Sequence, residues 1–216
     1  MRIRYKKWAR PELEESKFYI DNPEDYKGKW KKVFKNDKDI FIELGCGKGS
    51  FISNIGHENK DINFIGIDMI DAMLGLAKRN IEQIYQNEEI DNVIITRYNI
   101  ERISNIFDKK DEIKRIYINF CNPWPRGKHN KRRLTHTRQL EQYKEFLVDD
   151  GQIYFKTDSD LLFESSLEYF KESNFKIEKI TYDLEKETDF WNNIETEHEK
   201  MFKEQGLKIK ALIARK

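Results

Sequence analysis

Seven consecutive residues, Glu43-Leu44-Gly45-Cys46-Gly47-Lys48-Gly49, put one carboxylate and three glycines into a single turn. Glycine at alternate positions lets the backbone turn tightly and lets a ligand approach the main chain closely. A dinucleotide fingerprint, G-x-G-x-x-G, would place its third glycine at position 50, where the chain has Ser50. A nicotinamide site is therefore an imperfect match. A carboxylate at the head of the turn suits a cationic ligand better than a pyrophosphate, and S-adenosylmethionine carries both an ammonium and a sulfonium. Gly45 and Gly47 would line that ligand and Glu43 would anchor it. Asp68, ending Gly66-Ile67-Asp68, is placed to accept both ribose hydroxyls, and Asn99 to meet the adenine edge with its amide. The plainer roles for the same residues are a ligand-free turn into a helix, a helix N-cap for Asp68 and a loop cap for Asn99.

A second group follows further on, Cys121-Asn122-Pro123-Trp124-Pro125-Arg126, continued by Gly127-Lys128-His129-Asn130-Lys131-Arg132-Arg133-Leu134. Two prolines stiffen this loop, so Asn122 should project into the crevice while Trp124 offers an indole face, either to a base or to the core. The basic run behind it is a candidate grip on phosphates.

Elements of a particular kind must position these groups. Short apolar runs alternate with longer amphipathic ones, the pattern of a parallel sheet with crossover helices. Strands are expected at 40–44, 63–67, 93–97, 115–120 and 151–157, with two more at 176–182 and 208–214. Helices are expected at 49–58, 71–87, 137–148 and 160–173. In such a sheet the ligand lies beyond the carboxyl ends of the strands, where both motifs fall. The expected class is α/β, one domain over 1–216, with a basic N-terminal arm at 1–38 and a core at 39–216.

The composition agrees with that class. A chain of 216 residues with 38% hydrophobic content can build one substantial core. No run approaches the roughly 18 apolar residues of a membrane span, and the N-terminus lacks a secretory apolar stretch, so a cytoplasmic protein without membrane contact is expected. Cys46 and Cys121 form neither a CxxC pair nor a metal pattern, so reduced thiols and no metal are expected. Net charge is only +1, yet the charge is segregated. Arg2, Arg4, Lys6, Lys7 and Arg10 crowd the N-terminus without an acid among them. Asp183, Glu185, Glu187, Asp189, Glu195, Glu197 and Glu199 form an acidic stretch, either a solvated face or a flap closing over a base.

The chain resembles the bacterial tRNA (guanine-N7)-methyltransferases that modify guanine 46 of the variable loop. The likeness runs from Arg10-Pro11 through the glycine turn, Gly66-Ile67-Asp68, the loop from Asn122 to Leu134 and Phe155-Lys156-Thr157-Asp158 to Thr196-Glu197-His198-Glu199. It implies a Rossmann-like class I methyltransferase fold, a seven-stranded mostly parallel sheet with helices on both faces. It implies S-adenosylmethionine at Glu43, Asp68, Asn99 and Asn122, and substrate contacts from Arg126, Asp158, Thr196, Glu197, His198 and Glu199. RNA contact falls on Lys128, His129, Asn130, Lys131, Arg132 and Arg133, with tRNA as partner of a monomer or homodimer. The chain departs from the family at three places: Asn122 for the usual Asp, Arg126 for Lys, and His198 for an aromatic such as Tyr.

Guanine N7 carries an in-plane lone pair, so methylation there removes no proton. Asn122 can then serve by hydrogen bonding where relatives keep Asp. Asp158 is assigned to the guanine N1–H and N2 amine, which adenine cannot present; its other role is a cap for the following helix. Asn122 and Asp158 are thus the candidate catalytic pair. Two other readings stay open: a methyltransferase for an exocyclic amine, gripped by Asn122 and the Pro123 loop, and a non-catalytic RNA-binding protein.

Overall fold

The computed structural model describes residues 4–187 and 193–216. Arg2 of the basic arm and Asp189 of the acidic stretch lie outside them. Among the described residues eight strands form one sheet: β1 (Tyr19–Ile20), β2 (Ile40–Leu44), β3 (Asn63–Asp68), β4 (Val93–Arg97), β5 (Ile113–Asn119), β6 (Leu147–Thr157), β7 (Lys176–Thr181) and β8 (Lys210–Arg215). Their order is β1-β4-β3-β2-β5-β6-β8-β7, and only β8 runs against its neighbours. The β2 sequence Ile-Phe-Ile-Glu-Leu is buried throughout, as a strand covered on both faces must be.

Helices cover the two faces. On one lie α1 (Ala9–Glu14), α3 (Ser50–Glu58) and α4 (Asp71–Tyr85), which pack Leu13, Ile52 and Leu74 with Phe41, Phe64 and Ile95 of the sheet. On the other lie α2 (Trp30–Phe34), α5 (Thr137–Phe146) and α6 (Asp160–Glu172), packing Trp30, Tyr143 and Phe163 with Ile42, Ile65 and Ile116. A short α7 (Glu197–Glu204) follows within the acidic stretch. From β2 the chain steps outward to β3 and β4, then returns to the other side of β2 with β5. That reversal opens a crevice at the carboxyl ends of β2 and β5.

The mixed sheet matches the expected architecture, with one strand more. Its eighth strand, β1, is two residues long, too short to leave a hydrophobic period. Residues 4–38 also form α1 and α2. Leu13 and Trp30 are fully buried, and the Trp30 indole donates to the Ile106 carbonyl at 2.8 Å. A Cβ on Gly75 would lie 2.8 Å from the Ala9 Cβ, so α1 and α4 meet at a distance only glycine permits.

Candidate active site

The turn after β2 is held from the end of β3. Gly45 and Cys46 both donate backbone N–H groups to the Ile67 carbonyl, at 2.8 and 3.0 Å. Asp68 accepts from the Gly47 N–H through Oδ2 and from the Ile70 N–H through Oδ1, each at 3.0 Å. Asp68 thus braces the turn and the start of α4 together. Burial raises its carboxyl above the usual range, and those N–H groups oppose the rise. Gly45 and Gly47 have positive φ and open space where a Cβ would stand. Gly49 differs: at φ +77° its Cβ would lie 2.7 Å from that of Ala77, so this glycine lets α3 close onto α4.

Glu43, next to last in β2, lies at the floor of the crevice and is 4% exposed. Its Oε1 accepts from the Asn119 amide at 3.0 Å, while Oε2 is buried without a hydrogen-bond partner. Burial pushes the carboxyl up to about 7, against the pull of the Asn119 hydrogen bond and the Lys156 charge. An unsatisfied buried acceptor is costly. A cationic ligand seated beside the open glycines would satisfy it, and an ammonium is such a ligand. The residues present therefore fit S-adenosylmethionine.

Two clefts meet at Gly45 and Phe120. One, of 300 Å³, is bordered by Asp68, Asn99, Asn122 and Trp124. The other, of 90 Å³, is bordered by Glu43, Gly47, Asn119, Thr196, Glu197 and His198. Phe120 adopts φ +51° and stacks on His198 at 6.1 Å, which sets its ring between the two. Asn99 lies at the first cleft as a cap, its Oδ1 accepting from the Glu101 N–H at 3.0 Å. A larger cavity of 430 Å³ opens on the sheet face among Phe41, Arg115, Tyr117 and Tyr154, and it shares Phe51 and Asn119 with the crevice.

The loop after β5 has its own internal logic. Asn122 is exposed and its Oδ1 accepts from the Trp124 N–H at 3.0 Å, closing a side-chain turn. Trp124 takes φ +42°, and its indole lies between Arg132, 5.1 Å away, and His129, 5.7 Å away. Of the basic run, Arg126, Lys128, Lys131 and Arg132 are exposed, and His129 and Asn130 are half-buried. Arg133 is the exception at 1% exposure, its guanidinium turned into the protein. That sets it apart from its exposed neighbours in the expected RNA contact. Arg10 is also engaged, by Glu14, Tyr19 and Asp21, whereas Arg4 and Lys7 are exposed.

Asn119 pairs with Lys156 at the end of the β5–β6 register, and just beyond it the Asp158 charge acts on the Cys121 thiol. Ser159, not Asp158, caps α6: its hydroxyl accepts from the Leu162 N–H at 3.2 Å. The Asp158 carboxylate makes no hydrogen bond or ion pair with the described residues. The C-terminal tetrad divides by role. Thr196 caps α7 by accepting from the Glu199 N–H at 3.0 Å, and Glu197 pairs with Lys48 of the glycine turn at 2.9 Å. Glu199 is fully buried, 2.6 Å from Lys156 Nζ, and its second oxygen accepts from Asn193 at 2.8 Å. Burial works to raise its carboxyl, but the Lys156 charge prevails and holds it below the usual range. Its oxygens are occupied within the protein, so Glu199 fastens α7 to β6 and offers no open face to a substrate.

Sequence reasoning missed Asn119, Phe120 and Lys156. Lys156 stands in a quoted motif, and a lysine in an otherwise buried strand was the signal that could have found it. Nothing in the sequence marks Phe120.

Sheet order, switch point and glycine turn together define a class I S-adenosylmethionine-dependent methyltransferase. Solved structures agree on the fold. The 16S rRNA methyltransferase KamB superposes with a TM-score of 0.63 at 11% identity, over 87% of this chain and 92% of that one. The geranyl diphosphate C-methyltransferase of Streptomyces coelicolor A3(2), solved with S-adenosyl-L-homocysteine, gives 0.54 at 14% identity, over 82% and 69%. A family model described as "Putative methyltransferase" matches residues 37–212. A "tRNA (guanine-N(7)-)-methyltransferase" of Clostridium beijerinckii is 61% identical over 218 residues, spanning 100% of this chain and 99% of that protein. The chain belongs to the bacterial tRNA (guanine-N7)-methyltransferase family.

Proposed function

We propose that the protein transfers the methyl group of S-adenosylmethionine to N7 of guanine 46 in tRNA. The observation that carries this reading is the buried, half-satisfied carboxylate of Glu43 at the switch point, with the free carboxylate of Asp158 beyond the neighbouring strand. The full-length likeness to the Clostridium beijerinckii enzyme supports the base and the atom.

S-adenosylmethionine supplies an electrophilic methyl on a sulfonium. Glu43 holds the ammonium, Gly45 and Gly47 leave room for the main chain to be approached, and Asp68 and Asn99 meet the ribose and adenine. Because N7 has a lone pair in the plane of the ring, the protein contributes orientation and potential, not proton removal. Asp158 accepts from the guanine N1–H and N2 amine together, which selects against adenine. Asn122 and Arg126 border the base, and Thr196 to His198 stand on its far side. Lys128, His129, Asn130, Lys131 and Arg132 follow the RNA backbone.

The test is to incubate the protein with labelled S-adenosylmethionine and unmodified tRNA and then map the modified nucleotide. Label at N7 of guanine 46 is expected. Label on an exocyclic amine, or at another position, would overturn the assignment.

A further inference from the structure

Arg132 and Arg133 are neighbours in a basic run, yet they do opposite things. Arg132 lies on the surface over the Trp124 indole. Arg133 is inside, among the largest fully buried side chains. Its Nε donates to the Pro123 carbonyl at 2.8 Å, one terminal nitrogen donates to the Trp124 carbonyl at 3.3 Å, and the other to the Tyr169 hydroxyl at 3.2 Å. All three acceptors are neutral, and no carboxylate among the described residues lies within ion-pair distance of the guanidinium. Burying a charge without a counter-ion is expensive, and such a charge is kept where its hydrogen bonds hold something in place.

What it holds is the stretch between two prolines. Trp124 has a positive φ, a conformation that non-glycine residues rarely adopt and that surrounding contacts must enforce. Proline at 123 and 125 leaves that stretch a single backbone N–H, which Asn122 has taken. From the other side only the carbonyls remain to be held, and a planar guanidinium can reach two adjacent ones at once where a lysine ammonium reaches them singly.

We infer that Arg133 is a positioning residue that clamps the Pro123 and Trp124 carbonyls from beneath, fixing how Asn122 and Trp124 face the methyl-transfer cleft, and that it binds no RNA phosphate. The inference rests on the proposed function only for its effect on turnover. The clamp itself is a statement about this loop.

Two variants, Arg133→Met and Arg133→Lys, test it by two readouts. In hydrogen exchange the Trp124 amide should exchange at least tenfold faster in Arg133→Met, and less so in Arg133→Lys, while the β5 amides keep their rates. In methylation assays kcat at saturating tRNA should fall at least tenfold, with the slope of log Kd for tRNA against log salt unchanged. Removal of a phosphate contact would instead lower that slope by about 0.7–0.9, as expected for Arg132→Met. A lowered slope for Arg133→Met with kcat retained would make Arg133 an RNA contact, and wild-type exchange at Trp124 would abolish the clamp. Should Arg133→Met fail to fold, Arg133→Lys carries the same measurements. If the wild type transfers no methyl to tRNA, the proposed function fails while exchange at Trp124 still decides on the clamp.

Discussion

Glu43→Gln should separate cofactor binding from pH. In the free protein the Glu43 carboxyl titrates at about 7, raised by burial from 4.5. Only the ionised form pairs with an ammonium, so the apparent Kd for S-adenosylmethionine should scale as one plus the ratio of protonated to ionised Glu43. Between pH 8 and pH 6 that factor grows about tenfold, roughly 1.4 kcal/mol. The same shift acts on stability with a definite sign. A carboxyl whose folded value lies above its unfolded one stabilises the fold fully below pH 4.5, and that contribution is lost as pH rises towards 7. The rise from 4.5 to about 7 amounts to about 3 kcal/mol of penalty on the ionised apoprotein. Glutamine keeps the Asn119 hydrogen bond but carries no charge. The variant should bind the cofactor weakly, lose the Glu43 part of the pH dependence, and resist urea better than wild type at pH 8 but not at pH 4.5. Calorimetry at pH 6, 7 and 8 reads the first two, and comparison with wild type cancels the cofactor's own titration. A wild-type Kd flat between pH 6 and 8, or a Glu43→Gln protein with the wild-type slope, would refute the reasoning.

Lys156→Met should destabilise the fold by about 3 kcal/mol, because it leaves the fully buried Glu199 carboxylate to Asn193 and to Lys203 at 3.3 Å; the double variant Lys156→Met with Glu199→Leu should recover much of this in urea melts. Asp158→Asn should leave thermal stability within a few degrees, since that carboxylate makes no hydrogen bond or ion pair with the described residues. It should cost guanine discrimination, read as the ratio of kcat/KM on tRNAs bearing guanine or inosine at the target. Gly49→Ala should lower stability by about 1–3 kcal/mol, as a Cβ would meet Ala77 in a left-handed backbone, whereas cofactor Kd corrected for unfolding should change little. Asn122→Asp should raise kcat less than a hundredfold, about 2.7 kcal/mol in the barrier; a larger gain would mean that charge at position 122 is not dispensable.

Strands buried on both faces announced themselves in sequence. Positions 40–44 and 93–97 are built around the apolar triplets Ile40-Phe41-Ile42 and Val93-Ile94-Ile95, and the structure returns them with the expected bounds. The start of β6 was less legible, because Asp149 and Asp150 interrupt its pattern and read as a loop. Residues 4–38 read as a basic arm because their lysines and arginines dominate composition, while the few residues that bind them to the sheet, Leu13 and Trp30, carry no period. Within the site, Glu43, Asp68 and the glycines could be found from spacing alone. Arg133 could not be told from Arg132, since direction of burial within a basic run is decided by which carbonyls lie nearby. Glu199 was legible as important and illegible in role, its partner lying on a distant strand.

The two-residue strand β1 has a consequence for the behaviour of the protein in concentrated solution. It pairs Tyr19 with Ile95 and Ile20 with Thr96, and the Thr96 hydroxyl donates to the Ile20 carbonyl at 2.7 Å. Without it, β4 would become the rim of the sheet, a Val-Ile-Ile-Thr ribbon with its backbone groups unpaired and a sequence well suited to recruit a second chain. The N-terminal segment, basic enough to be read as an arm for RNA, thereby covers the rim of the sheet and guards against aggregation.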